Sequence, residues 1–385
     1  MRIGVDATCW ANRRGFGRFT RNAVTRLIEL DPDTSYDLFV DGPIEAPPMA
    51  TVRAIALKRA TNEAAAAGSR RAVGDLRRLS RAVRATDVSA ILFPAVYSYF
   101  PVGRRPFVVG THDTIVHELP ELTLPQRRSR LFWRLKERHA LHHATRIFTV
   151  SRAARDALAE RLSLDPARIA VVPEAPDAVF GPRSPAEIDA ACVPIGLGAG
   201  EPFVLCAAGG VSPHKNIATL LDSFAELPTA PRLVIAGALE GDAFLSAAQD
   251  VRHQIYRLGI ADRVVLPGFV SDETLAALYS GATIVVNPSL AEGFGLPAVE
   301  AAACGAALLL SDLPAHRETL GDGARFFAPR DTRELTAQLT TLLADASARR
   351  AVATRCTKAV ASLSWDTAGT RLRDLVHEAA EENRA

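Results

Sequence analysis

Short apolar runs rich in branched residues recur along the chain, and each is followed by a longer stretch with helical spacing. In the first half the candidate strands are 3–7, 36–40, 90–93, 107–110, 147–150 and 169–172; in the second they are 203–207, 232–236, 264–266, 283–286 and 307–310. Runs that are apolar on both faces need cover on both sides, and the intervening helices supply it. The expected fold class is therefore α/β, with two parallel sheets wrapped by helices. Residues 173–202 interrupt the alternation with prolines and glycines and no clear period, which makes them the expected connection between two domains. At 385 residues the chain is long enough for two buried cores.

In open α/β sheets ligands bind beyond the carboxyl ends of the strands, so the segments just after the strand candidates are where chemistry is expected. The richest is Glu292-Gly293-Phe294-Gly295-Leu296-Pro297-Ala298-Val299-Glu300, where two acids bracket a glycine-rich turn and a helix start. Pro297 suits the first helical position because its missing N–H would be unpaired there anyway. That predicts Glu300 in the first helical turn and Glu292 in the loop before it. Gly293 and Gly295 let a ligand approach the backbone, and the helix turns free N–H groups and a positive dipole end toward the same space. The segment thus offers donors for a phosphate or sugar hydroxyl, flanked by carboxylates that accept hydroxyl protons.

Three further segments lie in comparable places. Gly209-Gly210-Val211-Ser212-Pro213-His214-Lys215-Asn216 joins a strand to a helix, where small residues let amides face a diphosphate and Lys215 adds a mobile charge; a surface-loop lysine is the plainer reading. Gly15-Phe16-Gly17-Arg18 has two glycines of a dinucleotide fingerprint but Thr20 in the third position, which weakens a dehydrogenase reading. It is read as a flexible floor beneath the ligand, with Arg18 as a phosphate contact. His112-Asp113 follows the run 107–110, and Asp113 either orients His112, binds acceptor, or caps the next segment.

Taken in order, these pieces resemble the retaining glycosyltransferases of family 4, together with Ser151 opening a helix, Val171-Val172-Pro173, Pro267-Gly268-Phe269-Val270 and Asn287-Pro288-Ser289. The resemblance covers nearly the whole chain and implies the GT-B fold: two Rossmann-like domains facing across a cleft, with a terminal helix that crosses back to the first. The expected domains are 1–182 with 365–385, binding acceptor, and 200–364, binding nucleotide sugar. The implied activity is transfer of a hexose from a nucleoside-diphosphate sugar to a hydroxyl acceptor, of glycan, lipid-linked or natural-product type. GDP-mannose is the first expectation for the donor and UDP-glucose the second. Rival readings are a GT-B epimerase or phosphorylase, and a catalytically silent nucleotide-sugar-binding subunit.

The same resemblance distributes roles. His112, Asp113, Lys215 and Glu292 would carry the chemistry: His112 and Glu292 at the donor sugar, Lys215 at the leaving diphosphate. Gly17, Arg18, Gly209, Gly210, Gly293, Phe294, Gly295 and Leu296 would line the donor, largely through backbone. Phe269 and Val270 fall where the family holds the base, or pack as core; Glu300 would accept the ribose hydroxyls. Many family members carry Arg where this chain has Gly210, which leaves His214 or Arg18 to substitute. No metal and no cofactor beyond the nucleotide-sugar substrate is expected: Asp31-Pro32-Asp33, the one Asp-x-Asp spacing, precedes a strand and reads as a solvated turn.

Composition bounds the partners. Cys9, Cys192, Cys206, Cys304 and Cys356 are far apart and never paired as C-x-x-C, which suggests buried thiols. His139, His142 and His143 share a probable helix without an evident further ligand, and read as a solvated face. No segment approaches the ~18–20 apolar residues of a membrane span, and a strand follows Met1 directly, so a cytoplasmic location is expected, with no nucleic-acid partner. The net charge of +2 hides an asymmetry: residues 1–190 hold 29 basic against 21 acidic side chains, and 191–385 hold 16 against 22. Arg70, Arg77, Arg81 and Arg84 share one helical face, with Val73, Leu76 and Val83 on another, and 127–138 is a second arginine-rich segment. Such helices either lie over a core or meet anionic lipid at the inner membrane surface. The sequence leaves the oligomeric state open.

Overall fold

The structure, a computed structural model, describes residues 1–12, 15–58, 72–227, 229, 231–238 and 247–382. The chain divides into two compact units, Met1–Glu174 with Ser364–Ala385, and Ala175–Leu363. The first break comes earlier than the expected 182. Ser184 and Glu187 form a reciprocal cap on the helix Pro185–Cys192, which makes part of the expected linker an ordered element of the second unit.

The first unit is built on β1 (Arg2–Asp6), β2 (Ser35–Val40), β3 (Ala50–Ala54), β4 (Ala90–Phe93), β5 (Phe107–Gly110), β6 (Arg146–Thr149) and β7 (Ile169–Val171). All pair in parallel in the order β3-β2-β1-β4-β5-β6-β7. The central strands are buried on both faces, as their unbroken apolar sequence requires. The sequence reading missed β3, an edge strand largely exposed and with alternation too weak to mark it.

The second unit repeats the plan with β8 (Phe203–Gly210), β9 (Arg232–Ala238), β10 (Val264–Gly268), β11 (Ile284–Asn287), β12 (Leu308–Ser311) and β13 (Arg325–Phe327), in the order β10-β9-β8-β11-β12-β13. Strand order reverses between β1 and β4 in one unit and between β8 and β11 in the other. A crevice opens at such a switch point because successive crossovers leave on opposite faces.

The helix Trp365–Glu382 belongs to the first unit and packs on the helix Gly15–Glu29. A Cβ at Gly369 would lie 2.8 Å from backbone atoms of Arg26 and Leu27, so only glycine permits this approach. Arg26 pairs with Asp366 at 2.6 Å and Arg146 with Glu378 at 2.9 Å. His377 Nε2 lies 2.7 Å from Asp31 Oδ2, which also accepts from Tyr36 Oη at 2.6 Å. The reading of Asp31 as part of a solvated turn is thereby corrected. It is 7% exposed; burial opposes its ionisation, but the bonds from Tyr36, His377 and Thr34 outweigh that and hold its carboxyl below the usual range. All five cysteines are buried free thiols.

Candidate active site

In the second unit the switch point brings together two loops. Behind β8, a 3₁₀ turn at Pro213–Lys215 leads through Asn216, left-handed at φ +54°, into the helix Ile217–Ala225. Asn216 fixes that turn: its Nδ2 donates to Pro288 O at 3.0 Å and Pro329 O at 2.6 Å, and its Oδ1 accepts from Thr219 Oγ1 at 2.8 Å. Leu290 N donates to His214 O at 2.8 Å, stitching the first loop to the one behind β11.

Lys215 Nζ consequently meets Glu292 Oε1 at 2.7 Å, and Ser289 Oγ donates to the same oxygen at 2.7 Å. Burial of the Glu292 side chain, 9% exposed, opposes its ionisation. The Lys215 ammonium, the nearby His316 and the two hydrogen bonds reverse that and bring the pKa to about 2. His316 is fully buried; its Nδ1 faces Ser311 O at 2.8 Å, while its Nε2 has no hydrogen-bond partner among the described residues. Burial, more than any neighbour, lowers its pKa, so the ring is neutral at pH 7, with Nδ1 as donor and Nε2 as a bare acceptor.

The helix begins one residue earlier than expected. It spans Leu296–Ala303 with Gly295 as N-cap at φ +87°, so Pro297 is the second helical residue and Glu300 falls in the second turn instead of the first. Gly295 is required twice over: its backbone is left-handed, and a Cβ there would come 2.7 Å from His316 Cδ2. Phe294 and Leu296 bury their side chains, and the loop keeps Gly293 half-buried. Glu300 is 3% exposed on a helix that is otherwise almost wholly apolar.

Gly209 and Gly210 differ from expectation. They continue β8, in register with Gly237 and Ala238, past an irregularity at Ala207/Gly209 where Gly209 takes φ +65°. A Cβ at Gly209 would meet nothing within 4 Å. Phe269 and Val270 follow β10; Phe269 is 48% exposed, which removes core packing as its explanation.

The first unit holds its own cluster at the carboxyl ends of its strands. Gly15-Phe16-Gly17-Arg18 is the first turn of the helix Gly15–Glu29, not a flexible floor. Gly17 has no room for a Cβ, which would strike the Asn12 carbonyl, and Arg18 is 7% exposed. Arg13 and Arg14 lie outside the described residues. His112, behind β5, is 8% exposed and stacked edge-on to Phe19 at 4.6 Å. Its Nε2 donates to Pro94 O at 2.8 Å; burial outweighs that bond and pushes the imidazole down to about 4. Asp113 Oδ1 accepts from Ile115 N at 3.0 Å, the capping role among the alternatives for it.

Sequence reasoning named Ser289 in a motif without giving it a role, and overlooked His316 and Glu174. Ser289 stands three residues before Glu292, a spacing that could have shown the contact; His316 needed the third dimension. Glu174 follows Val171-Val172-Pro173 directly, and its Oε1 lies 3.8 Å from His112 Nδ1.

Residues 15–178 match the model of the Glycosyltransferase Family 4 domain and residues 196–359 that of Glycosyl transferases group 1. O-antigen chain mannosyltransferase B of Escherichia coli is 30% identical over 278 residues, covering 71% of this chain and 70% of that protein. The chain belongs to this glycosyltransferase family. Among solved structures, sucrose-phosphate synthase from Thermosynechococcus elongatus aligns with a TM-score of 0.79 at 19% identity, covering 98% of each chain. Anabaena HepE, solved with UDP and glucose, aligns at 0.75 and 20% identity over 98% of this chain and 99% of that one. Both units of this glycosyltransferase are thus Rossmann-like domains of the GT-B fold. Among the described residues no helix is long and apolar enough to cross a membrane.

Proposed function

We propose that the protein moves a hexose from a nucleoside-diphosphate sugar to a hydroxyl acceptor with retention at the anomeric carbon. The observation that carries this reading is the partly buried Lys215–Glu292 pair beside the amino end of the helix Leu296–Ala303. A cation and a helix terminus address an anionic leaving group, and a carboxylate held ionised addresses sugar hydroxyls and positive character at the anomeric carbon. The bond between that carbon and the diphosphate oxygen breaks while the acceptor oxygen bonds on the same face. The departing diphosphate oxygen takes the acceptor's proton, so no protein nucleophile is needed.

The mannosyltransferase relatives favour GDP-mannose as donor, with UDP-glucose second because a structural neighbour was solved with UDP and glucose. Glu300 is assigned to the ribose, the Phe269-Val270 backbone to the base, and Lys215 with the local amides to the charge that a divalent metal would otherwise neutralise. A thermal-shift screen of nucleotide sugars, followed by the anomeric configuration of the product by NMR, tests the reading. Inverted product, or no selective ligand, would reject it.

Contact with anionic membrane belongs to the same proposal, and the two arginine-rich segments now part company. In the helix Val73–Arg84, Leu79 and Val83 are buried and Arg78 pairs with Asp75 at 2.8 Å, while Arg70 lies outside the described residues. Val73, expected on the apolar face, is 63% exposed. The helix Arg127–His143 buries Trp133, Glu137, Ala140 and Leu141 and turns outward Leu131, Phe132 and Leu135, 61%, 44% and 61% exposed. Arg127, Arg128, Arg134 and Arg138 are exposed at neighbouring helical positions, and the helix's acid, Glu137, is buried against His117. Apolar side chains rimmed by arginines fit the headgroup boundary of an anionic bilayer.

A further inference from the structure

The helix Pro314–Leu320 follows β12 within the second unit, and its third residue, His316, turns back on the strand end so that Nδ1 donates to Ser311 O at 2.8 Å. The opposite edge of the ring lies under the N-cap of the helix Leu296–Ala303. A Cβ on Gly295 would come 2.7 Å from Cδ2 and 3.2 Å from Nε2, so the imidazole occupies the space that a side chain at 295 would take. Nε2 is buried with no hydrogen-bond partner among the described residues. An acceptor left in that state is costly, and leucine or phenylalanine would fill the space without the cost.

Electrostatics gives the bare nitrogen a use. Its lone pair lies against the positive end of a helix dipole, where an acceptor is favoured and a proton is not. The charged groups that act on the ring are Glu292, Lys215 and Asp312. A neutral ring leaves Lys215 with Glu292. Protonation would set an N–H against the helix end, add a like charge beside Lys215, and make the imidazolium a rival for Glu292.

We infer that His316 is a positioning residue for the donor loop: as a neutral imidazole it fixes from beneath the Gly295 turn, and with it the helix end and the Glu292 carboxylate. This rests on the nucleotide-sugar reading above and deepens it. The ring is fully buried, so it acts through the loop and not by touching substrate.

The test follows release of nucleoside diphosphate from GDP-mannose and from UDP-glucose by the full chain and two variants, across pH. His316→Leu fills the space but loses the donor to Ser311 O, and kcat should fall about a hundredfold, the effect of a misplacement near 1 Å. His316→Asn keeps a donor where Nδ1 stands and does not titrate, and should lose less than about tenfold at pH 7. Wild-type kcat should decline as pH falls below about 6.5, where a histidine takes up its proton, and His316→Asn should lack that decline. A role in stability alone would lower the melting temperature without moving the pH profile. A loss under about threefold in His316→Leu, or the same acid decline in His316→Asn, overturns the inference. Nitrogen-15 NMR of the wild type decides the matter even where a variant fails to fold: at pH 7 Nδ1 should carry the proton and Nε2 none, and the opposite tautomer or an imidazolium rejects the role. If the wild type binds neither nucleotide sugar in calorimetry, the nucleotide-sugar reading itself falls, and this inference with it.

Discussion

Removing the Lys215 ammonium leaves Glu292 buried, ionised and short of its strongest partner, and the structure gives the size of the effect. The fall in the Glu292 pKa from 4.5 to about 2 is worth about 3 kcal/mol, at about 1.4 kcal/mol per unit. Burial acts in the opposite direction, so the favourable interactions, Lys215 foremost, must supply more than that net amount. Breaking a buried pair from one side typically costs about 3–5 kcal/mol, which agrees. Lys215→Ala should therefore destabilise the second unit by about 3 kcal/mol at pH 7. Glu292 is depressed in the folded state, so its contribution is present above pH 4.5 and is lost as pH falls through about 2. The gap between wild type and variant should close across that window.

The chain carries its own control for this measurement. Trp10, Trp133 and Trp365 all lie in the first unit, so tryptophan emission follows that unit alone, while hydrogen exchange at 284–303 follows the second. Denaturant unfolding of Lys215→Ala should leave the emission transition in place and shift only protection in the second unit. A loss below ~0.5 kcal/mol at pH 7, the range of an ordinary surface substitution, would refute the reasoning. So would a gap that persists at pH 2.

Gly295→Ala should cost about 1–3 kcal/mol and lower activity, since φ +87° disfavours any Cβ and His316 stands in its way; an unshifted melting temperature would contradict this. Glu300→Ala should weaken nucleoside-diphosphate binding in calorimetry with the fold retained, and unchanged affinity would remove the ribose assignment. Vesicles containing acidic lipid should co-sediment the protein at low salt and release it as salt rises; Leu131→Ser with Leu135→Ser should abolish binding, and equal binding to neutral vesicles would argue against the surface. Turnover should survive exhaustive EDTA treatment, and rescue by magnesium or manganese after its loss would reverse the view of how the leaving group is stabilised.

The architecture was largely legible because parallel strands buried on both faces leave unbroken apolar runs, as at 90–93 and 284–287. Two of the four edge strands were not: Ala50–Ala54 is largely exposed and Arg325–Phe327 buries one residue of three, so neither shows the periodicity of a packed strand. At the site, Lys215 and Glu292 could be named from their loops, but not that each would hold the other. That pairing is set by Asn216, which ties together segments 72 and 113 residues apart. Asp31 misled for the same reason: its partner His377 lies 346 residues away, on a helix whose docking no local pattern announces.

Glycine at position 210, where many family members carry arginine, leaves Lys215 as the cation of this loop that meets Glu292. Lys215 is the cation assigned to the leaving diphosphate, yet in the free protein it is bonded to Glu292. A diphosphate that engages Lys215 must draw it from the carboxylate or share it, and on the proposed function Glu292 would then meet a sugar hydroxyl as an unshielded acceptor. Ser289 stays to hold one carboxylate oxygen in place, so the side chain need not reorient when the lysine turns. On the proposed function, arrival of the diphosphate would thereby ready the sugar-facing acid. Glu292→Gln, which cannot hold Lys215 by charge, should accordingly bind bare nucleoside diphosphate at least as tightly as the wild type while losing turnover. Weaker binding of the bare diphosphate by this variant would show that the lysine was never in competition.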